Sequence, residues 1–136
     1  MIEYRTNVAG ITPDQLDGPF FVGWPNGPTP ETHLRILEGS DHVVLAVDAS
    51  THHVVGFVTA ITDGFFMAFL TLLEVVPEYQ GRGIGSELVR RLLNRLQGFY
   101  SVDAMTDPEL QPFYRHLGLE ASHGVSLRNY GHQSGQ

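Results

Sequence analysis

Apolar residues fall at two spacings along this chain, and the switches between them mark its elements. Ile2 to Val8 suits a short first strand. Between residues 11 and 30, Pro13, Pro19, Pro25, Pro28 and Pro30 forbid a long helix, so short helical turns and a loop are expected. Thr29-Pro30-Glu31-Thr32 is a helix start: a capping threonine, proline at the first helical position and an acid in the first turn. That helix runs to about Leu37, with Leu34 and Leu37 apolar, and Gly39 ends it. Val43 to Val47 and Val54 to Thr62 are β-branched apolar runs separated by the turn residues Asp48 to Thr51. Asp63-Gly64 is a two-residue hairpin signal leading into a long apolar strand from Phe65 to Val76. Together these runs predict a meander of three antiparallel strands.

The spacing then changes to three and four. Ile84, Leu88, Val89, Leu92, Leu93 and Leu96 give one face of an amphipathic helix of about 14 residues, with Arg90, Arg91, Asn94 and Arg95 opposite and Gly98 ending it. Phe99 to Met105 reads as a strand, Pro108 to Leu117 as a short helix closed by Gly118, and Val125 to Tyr130 as a last strand. A chain of 136 residues without repeat or linker is one domain, spanning 1–136, with a loose tail from about Gly131.

Composition narrows the chemistry. Hydrophobic residues make up 42% of the chain, which excludes disorder. No apolar run approaches the roughly 18 residues of a membrane span. The opening Met1-Ile2-Glu3-Tyr4-Arg5 does not read as a signal peptide, so a cytoplasmic protein is expected. Absence of cysteine removes disulfides and thiolate nucleophiles together. A net charge of −7, from eight basic and fifteen acidic residues, argues against nucleic acid and suits a cationic partner such as a protonated amine. All eight basic residues are arginine, so a Walker A lysine and a Schiff-base lysine are both impossible. The seven histidines lack metal-motif spacing and read as solvated turn and surface groups, so no metal is expected.

The remaining signal is Gln80-Gly81-Arg82-Gly83-Ile84-Gly85, between the long strand and the amphipathic helix. Three alternate glycines let backbone amides converge without Cβ interference. The helix N-terminus adds unpaired N–H groups and its positive dipole end, and Arg82 adds a charge suited to phosphate. Ser86 stands where a dinucleotide fingerprint needs its third glycine. A dinucleotide fold would also place its fingerprint in the first βα unit, not after a strand meander. A nucleotide-binding protein is therefore the weaker reading, and it predicts NAD or ATP binding.

The segment resembles the central Q/R-x-x-G-x-G/A motif of the GNAT superfamily of acetyl-CoA-dependent N-acetyltransferases, and it fits every fixed position. The lead-in Leu73-Glu74-Val75-Val76-Pro77-Glu78-Tyr79 is similar to that family's strand and proline turn. A second match, Pro112 to Leu119, resembles its F-Y-x-x-L-G-F helix, with Leu119 replacing the usual phenylalanine. The resemblance implies a single α/β (α+β) domain with a mixed, mostly antiparallel sheet flanked by helices. It implies acetyl transfer from acetyl-CoA to a primary amine, first of a small molecule, by direct attack on the thioester. Acetylation of a protein or peptide amine and a non-catalytic acyl-CoA-binding or sensing module are the alternatives.

The same resemblance assigns roles. Main-chain groups of Val75 and Val76 would pair with the pantetheine arm. Gln80, Gly81, Arg82, Gly83, Ile84, Gly85 and Ser86 would hold the pyrophosphate. Tyr114 would protonate the leaving thiolate, a task suited to a phenol. The family does not fix the base that receives the amine proton. Glu74, which interrupts an apolar run, is the first candidate, beside Asp103 or a water. Phe21 and Trp24, in the proline-rich loop, either line an acceptor pocket or anchor that loop as a small core. The short region after the last helix leaves one side of the acceptor cleft open or completed by a second subunit, so a homodimer is among the expectations.

Overall fold

A computed structural model describes all of residues 1–136. Its five strands are β1 (Ile2–Arg5), β2 (His42–Asp48), β3 (Val54–Thr62), β4 (Met67–Val75) and β5 (Ser101–Ala104), joined in one sheet of that order. The first three pairings are antiparallel and β4–β5 is parallel. Helix α1 (Pro30–Gly39) lies on one face, and α2 (Ile84–Arg95) and α3 (Gln111–His116) belong to the other. The result is a single α+β fold with a mixed sheet, as the motif order implies.

Alternation along β2 and β3 divides the core in two. Val43, Leu45, Val47 and Phe57 pack with Leu16, Phe21 and Leu37 beneath α1. Val44, Ala46, Val58 and Ala60 face the other way, against Ile84, Leu88, Val89 and Leu92 of α2. Each buried Val, Leu, Ile or Phe among them contributes about 1.5–3 kcal/mol. Helix α1 starts where its cap residues demand: Thr29 Oγ1 accepts from Thr32 N at 3.2 Å, with Pro30 at the first helical position.

β3 and β4 contain one irregularity that matters for the site. Thr59 pairs with Leu72 while Ala60 pairs with Leu70, leaving Thr71 as an extra residue in β4. Its hydroxyl lies 2.7 Å from that of Thr59. On the other side, pairing with β5 stops at Leu70–Ala104, so β4 runs on from Thr71 to Val75 with a free edge.

Several expected boundaries shift. β1 ends at Arg5, short of Val8, and β5 spans only Ser101–Ala104. Phe99 instead donates its N–H back to Leu96 O, extending the turn after α2. The Asp63-Gly64 turn is a longer loop, because Asp63 Oδ1 accepts from the N–H groups of Phe65, Phe66 and Met67. The segment from Pro108 splits into a 3-10 turn (Pro108–Leu110) and α3. The last strand does not form: Val125 to Asn129 pairs with nothing, and a 3-10 turn follows at Tyr130–His132. The tail, expected to be loose, folds back on the α1 side. Gln136 Nε2 donates to Thr32 Oγ1, and Asn26 N donates to Gln133 Oε1.

His33 contradicts the surface reading of the histidines. It sits on α1, 1% exposed, among Phe20, Phe21 and Phe57 with ring centroids 5.0, 5.0 and 4.5 Å away. Its Nε2 has no partner, and burial lowers its pKa to about 4, so it is neutral at neutral pH. The unfolded chain takes up this proton near pH 6.5 and the folded one only near 4. Stability is therefore expected to fall by about 3 kcal/mol as pH drops through that window. Replacing His33 with Phe should flatten this part of the stability-against-pH curve, measured by denaturant unfolding at several pH values.

Candidate active site

The glycine segment begins where β4 ends. Val76 N donates to Val55 O at 2.9 Å, so that peptide is used inside the sheet. Backbone alternation turns the N–H groups of Val75 and Leu73 to the free edge. The Val75 carbonyl accepts from Gln80 Nε2 at 2.9 Å. Of the two main-chain positions expected to meet a pantetheine arm, Val75 thus faces outward and Val76 faces β3. Gln80 acts first as a brace on the strand end.

Gly81 and Gly83 adopt φ of 77° and 81°, a region that a side chain would strain. No atom lies within 4 Å of the place where either would carry a Cβ, so the cradle is open above them. The first α2 backbone bond is Glu87 N to Gly83 O, and no side chain caps this end. The N–H groups of Ile84, Gly85 and Ser86 are therefore left for an outside acceptor. They border a groove of about 290 Å³ with Val75, Tyr79 and Phe113. Open glycines and a bare helix start fit a pyrophosphate in physical terms.

Arg82 does not yet point at an anion. Its guanidinium stacks 4.8 Å over the Tyr79 ring, and Nη2 donates to Glu78 O at 3.0 Å. Tyr79 is itself held, its hydroxyl donating to Asp48 Oδ2 at 2.5 Å while Ser50 N and Oγ donate to Oδ1. These bonds hold the Asp48 carboxyl well below the usual carboxylate range and push the Tyr79 phenol up. Replacing Arg82 with Ala is expected to weaken CoA binding by about 1.5–3 kcal/mol, the worth of a charge-assisted hydrogen bond. Unchanged affinity by calorimetry would leave Arg82 on Tyr79 with no ligand role.

Tyr114 is 9% exposed and shares its cluster with Val76, Ile84 and Leu88. Burial raises its pKa above the ordinary phenol value, so its proton is retained at neutral pH. Phe113, its T-shaped neighbour at 5.0 Å, stands beside Gly85 and positions α3 against the start of α2.

Glu74 lies on the opposite face of β4, half-buried, and its Oε1 accepts from Phe21 N at 2.7 Å. Burial raises its pKa, opposed by that hydrogen bond. Phe21 reaches it with φ of 59°, an uncommon backbone state for an aromatic residue that costs on the order of 1–3 kcal/mol. The Phe21 ring is buried among Trp24, His33 and Phe57, so it anchors the loop and offers its peptide, not its ring, to the site. Trp24 is 39% exposed and keeps a free face. Asp103, the other candidate base, is exposed on β5 and accepts from Ser101 Oγ at 2.7 Å.

A mixed sheet with an open β4 edge, a glycine turn and an uncapped helix start meet at one end of β4. The Acetyltransferase (GNAT) family model matches residues 13–119, and the chain belongs to that family. A Deinococcus radiodurans R1 structure described as a candidate acetyltransferase is 45% identical with a TM-score of 0.94, covering 98% of this chain and 92% of that one. The GCN5-related N-acetyltransferase 1, chloroplastic, of Arabidopsis thaliana is 31% identical over 118 residues, 85% of this chain and 59% of the relative. Serotonin N-acetyltransferase 2, chloroplastic, of Oryza sativa subsp. japonica is 34% identical over 102 residues, 72% of this chain and 50% of the relative. The chain thus spans between half and three fifths of these two curated relatives. No helix is long and apolar enough to cross a membrane.

Tyr79, Phe113 and Asp48 were not singled out from sequence. Tyr79 adjoins the glycine segment and Phe113 adjoins Tyr114, so proximity to the motifs was their available signal. Asp48 had none, reading as an ordinary turn residue.

Proposed function

We propose that this chain transfers an acetyl group from acetyl-CoA to a primary amine, first of a small molecule, by direct attack of the amine on the thioester. The observation that carries this reading is the meeting, at one end of β4, of a free strand edge, a bare helix start and a buried phenol. Val75 and Leu73 N–H groups would receive the pantetheine amides as an added strand does. Amides from Gly81 to Ser86 would hold the pyrophosphate. Tyr114 would donate its proton to the departing thiolate, and Glu74 would accept the amine proton directly or through a water. Trp24 would border the acceptor. The absence of cysteine supports transfer without an acyl-thioester on the protein.

A protein or peptide amine is the second reading, favoured by the likeness to the Glycine max protein named Histone acetyltransferase TAP1, 28% identical over 74% of this chain and 48% of that relative. The test is release of free thiol from acetyl-CoA across a panel of small amines and lysine peptides. Release with one amine class supports transfer and names the acceptor. CoA binding without release for any amine favours the acyl-CoA-binding reading instead.

A further inference from the structure

We propose that His33 is a positioning residue for Glu74: its ring holds Phe21 in the left-handed backbone state that points the Phe21 N–H at that carboxylate. The effect on rate rests on Glu74 being the base proposed above, whereas the effect on its carboxyl does not. Phe21 N lies 2.7 Å from Glu74 Oε1, and Phe21 has φ of 59°. An aromatic residue does not keep that state without restraint from its surroundings.

The restraint comes from rings. His33 meets Phe21 edge to face with centroids 5.0 Å apart and packs on Phe57 at 4.5 Å. Phe57 is the β3 partner of Glu74 in register. His33 is thus wedged between the loop residue that donates and the strand residue beside the acceptor. Phe20 closes the cluster, 5.0 Å from His33 and 5.4 Å from Phe57. The capped first turn of α1 fixes His33 in turn, its N–H donating to Thr29 O at 2.8 Å. The loop itself has little slack: a Cβ on Gly27 would stand 3.0 Å from Phe21 Cβ, and one on Gly18 3.4 Å from Val76 Cγ1.

Packing, not charge, transmits the effect. Burial without a partner at Nε2 keeps the His33 ring neutral. Asp14, Asp17, Glu31, Arg35 and Glu38, on the elements packed around this cluster, are all exposed. Burial moves the Glu74 carboxyl up, and the Phe21 N–H moves it down. Losing that N–H while burial remains therefore drives the carboxyl further up. Loosening that merely admitted water would bring it down, so the two effects have opposite signs.

The test titrates the Glu74 carboxyl carbon by NMR in the protein alone, its signal identified by its loss in Glu74→Gln. In the native chain the Phe21 amide proton should shift along the same curve. His33→Ala is expected to raise the Glu74 midpoint and release the Phe21 amide from it, and His33→Phe, which restores a ring, should bring both back. Gly27→Val presses on Phe21 and leaves α1 intact, so it should act as His33→Ala does without touching the helix. A Glu74 midpoint unchanged or lowered in Gly27→Val overturns the proposal, as does a Phe21 amide that still follows it. In rate measurements the acidic limb of kcat/KM should rise with the NMR midpoint. The same variants should lose about 10–10²-fold in kcat, the usual cost of a misplaced group, with KM for acetyl-CoA unchanged. A raised midpoint beside an unmoved limb would keep His33 in its positioning role and remove Glu74 as the base.

Discussion

Replacing Tyr114 with Phe is expected to lower kcat for acetyl transfer by about 10²–10⁴, the usual worth of a positioned acid, with CoA affinity little changed. The substitution removes one hydroxyl and keeps the ring that packs edge-on to Phe113 at 5.0 Å, so the fold and the groove survive. That hydroxyl has no partner within the chain, and burial keeps its proton on at neutral pH. A leaving thiolate needs just such a proton. The wild-type rate should show no basic limb from Tyr114 until above the ordinary phenol value. Thiol release alongside calorimetric CoA binding checks this, and an unchanged kcat would remove Tyr114 from the chemistry.

Glu74→Gln is expected to lower kcat/KM by a similar factor, about 10²–10⁴, while leaving the loop in place. Glutamine still offers an oxygen to Phe21 N–H, so the contact at 2.7 Å can be kept. The acid–base sign is definite. Burial raises the folded pKa of Glu74 above its unfolded value, so the folded chain holds this proton more tightly. Its contribution to stability is present at acid pH and is lost as pH rises from the ordinary carboxylate value through the raised one. At neutral pH the charge is a net cost, and Gln should raise Tm there. In the pH–rate profile the acidic limb should sit above the ordinary carboxylate range and vanish in the variant. Retained activity with a lowered Tm would instead make Glu74 a structural acid and pass the base role to Asp103 or a water.

The parts of this molecule that sequence revealed are those governed by local rules. Val54 to Thr62 is bounded by turn residues on both sides, and the strand has those bounds. Thr29 and Pro30 start α1 because capping is decided within four residues. The glycine spacing pointed to a cradle because left-handed backbone at Gly81 and Gly83 excludes most other residues. What failed depends on distant partners. Val125 to Tyr130 alternates like a strand, but alternation does not supply a neighbour to pair with. Asp63-Gly64 looks like a tight hairpin until the Asp63 carboxylate collects three amides and widens the loop. Phe21 could be read as a pocket wall or a loop anchor, a choice that only its packing with the distant His33 and Phe57 rings and its N–H bond to Glu74 informs. The link from Asp48 through Tyr79 to Arg82 joins residues far apart in the chain, beyond any periodicity.

The arginine-only basic surface has a consequence for the proposed acetyl transfer. The Arg82 guanidinium rests on Tyr79 and that of Arg91 lies 4.5 Å over Tyr4. Guanidinium stays protonated in water and does not compete as an acceptor. No side chain among residues 1–136 is a primary amine. With that activity, the side chains of residues 1–136 would be shielded from N-acetylation by the protein itself. Incubated with acetyl-CoA alone, residues 1–136 should gain no side-chain amide by peptide mass mapping, so turnover there would report on the added substrate.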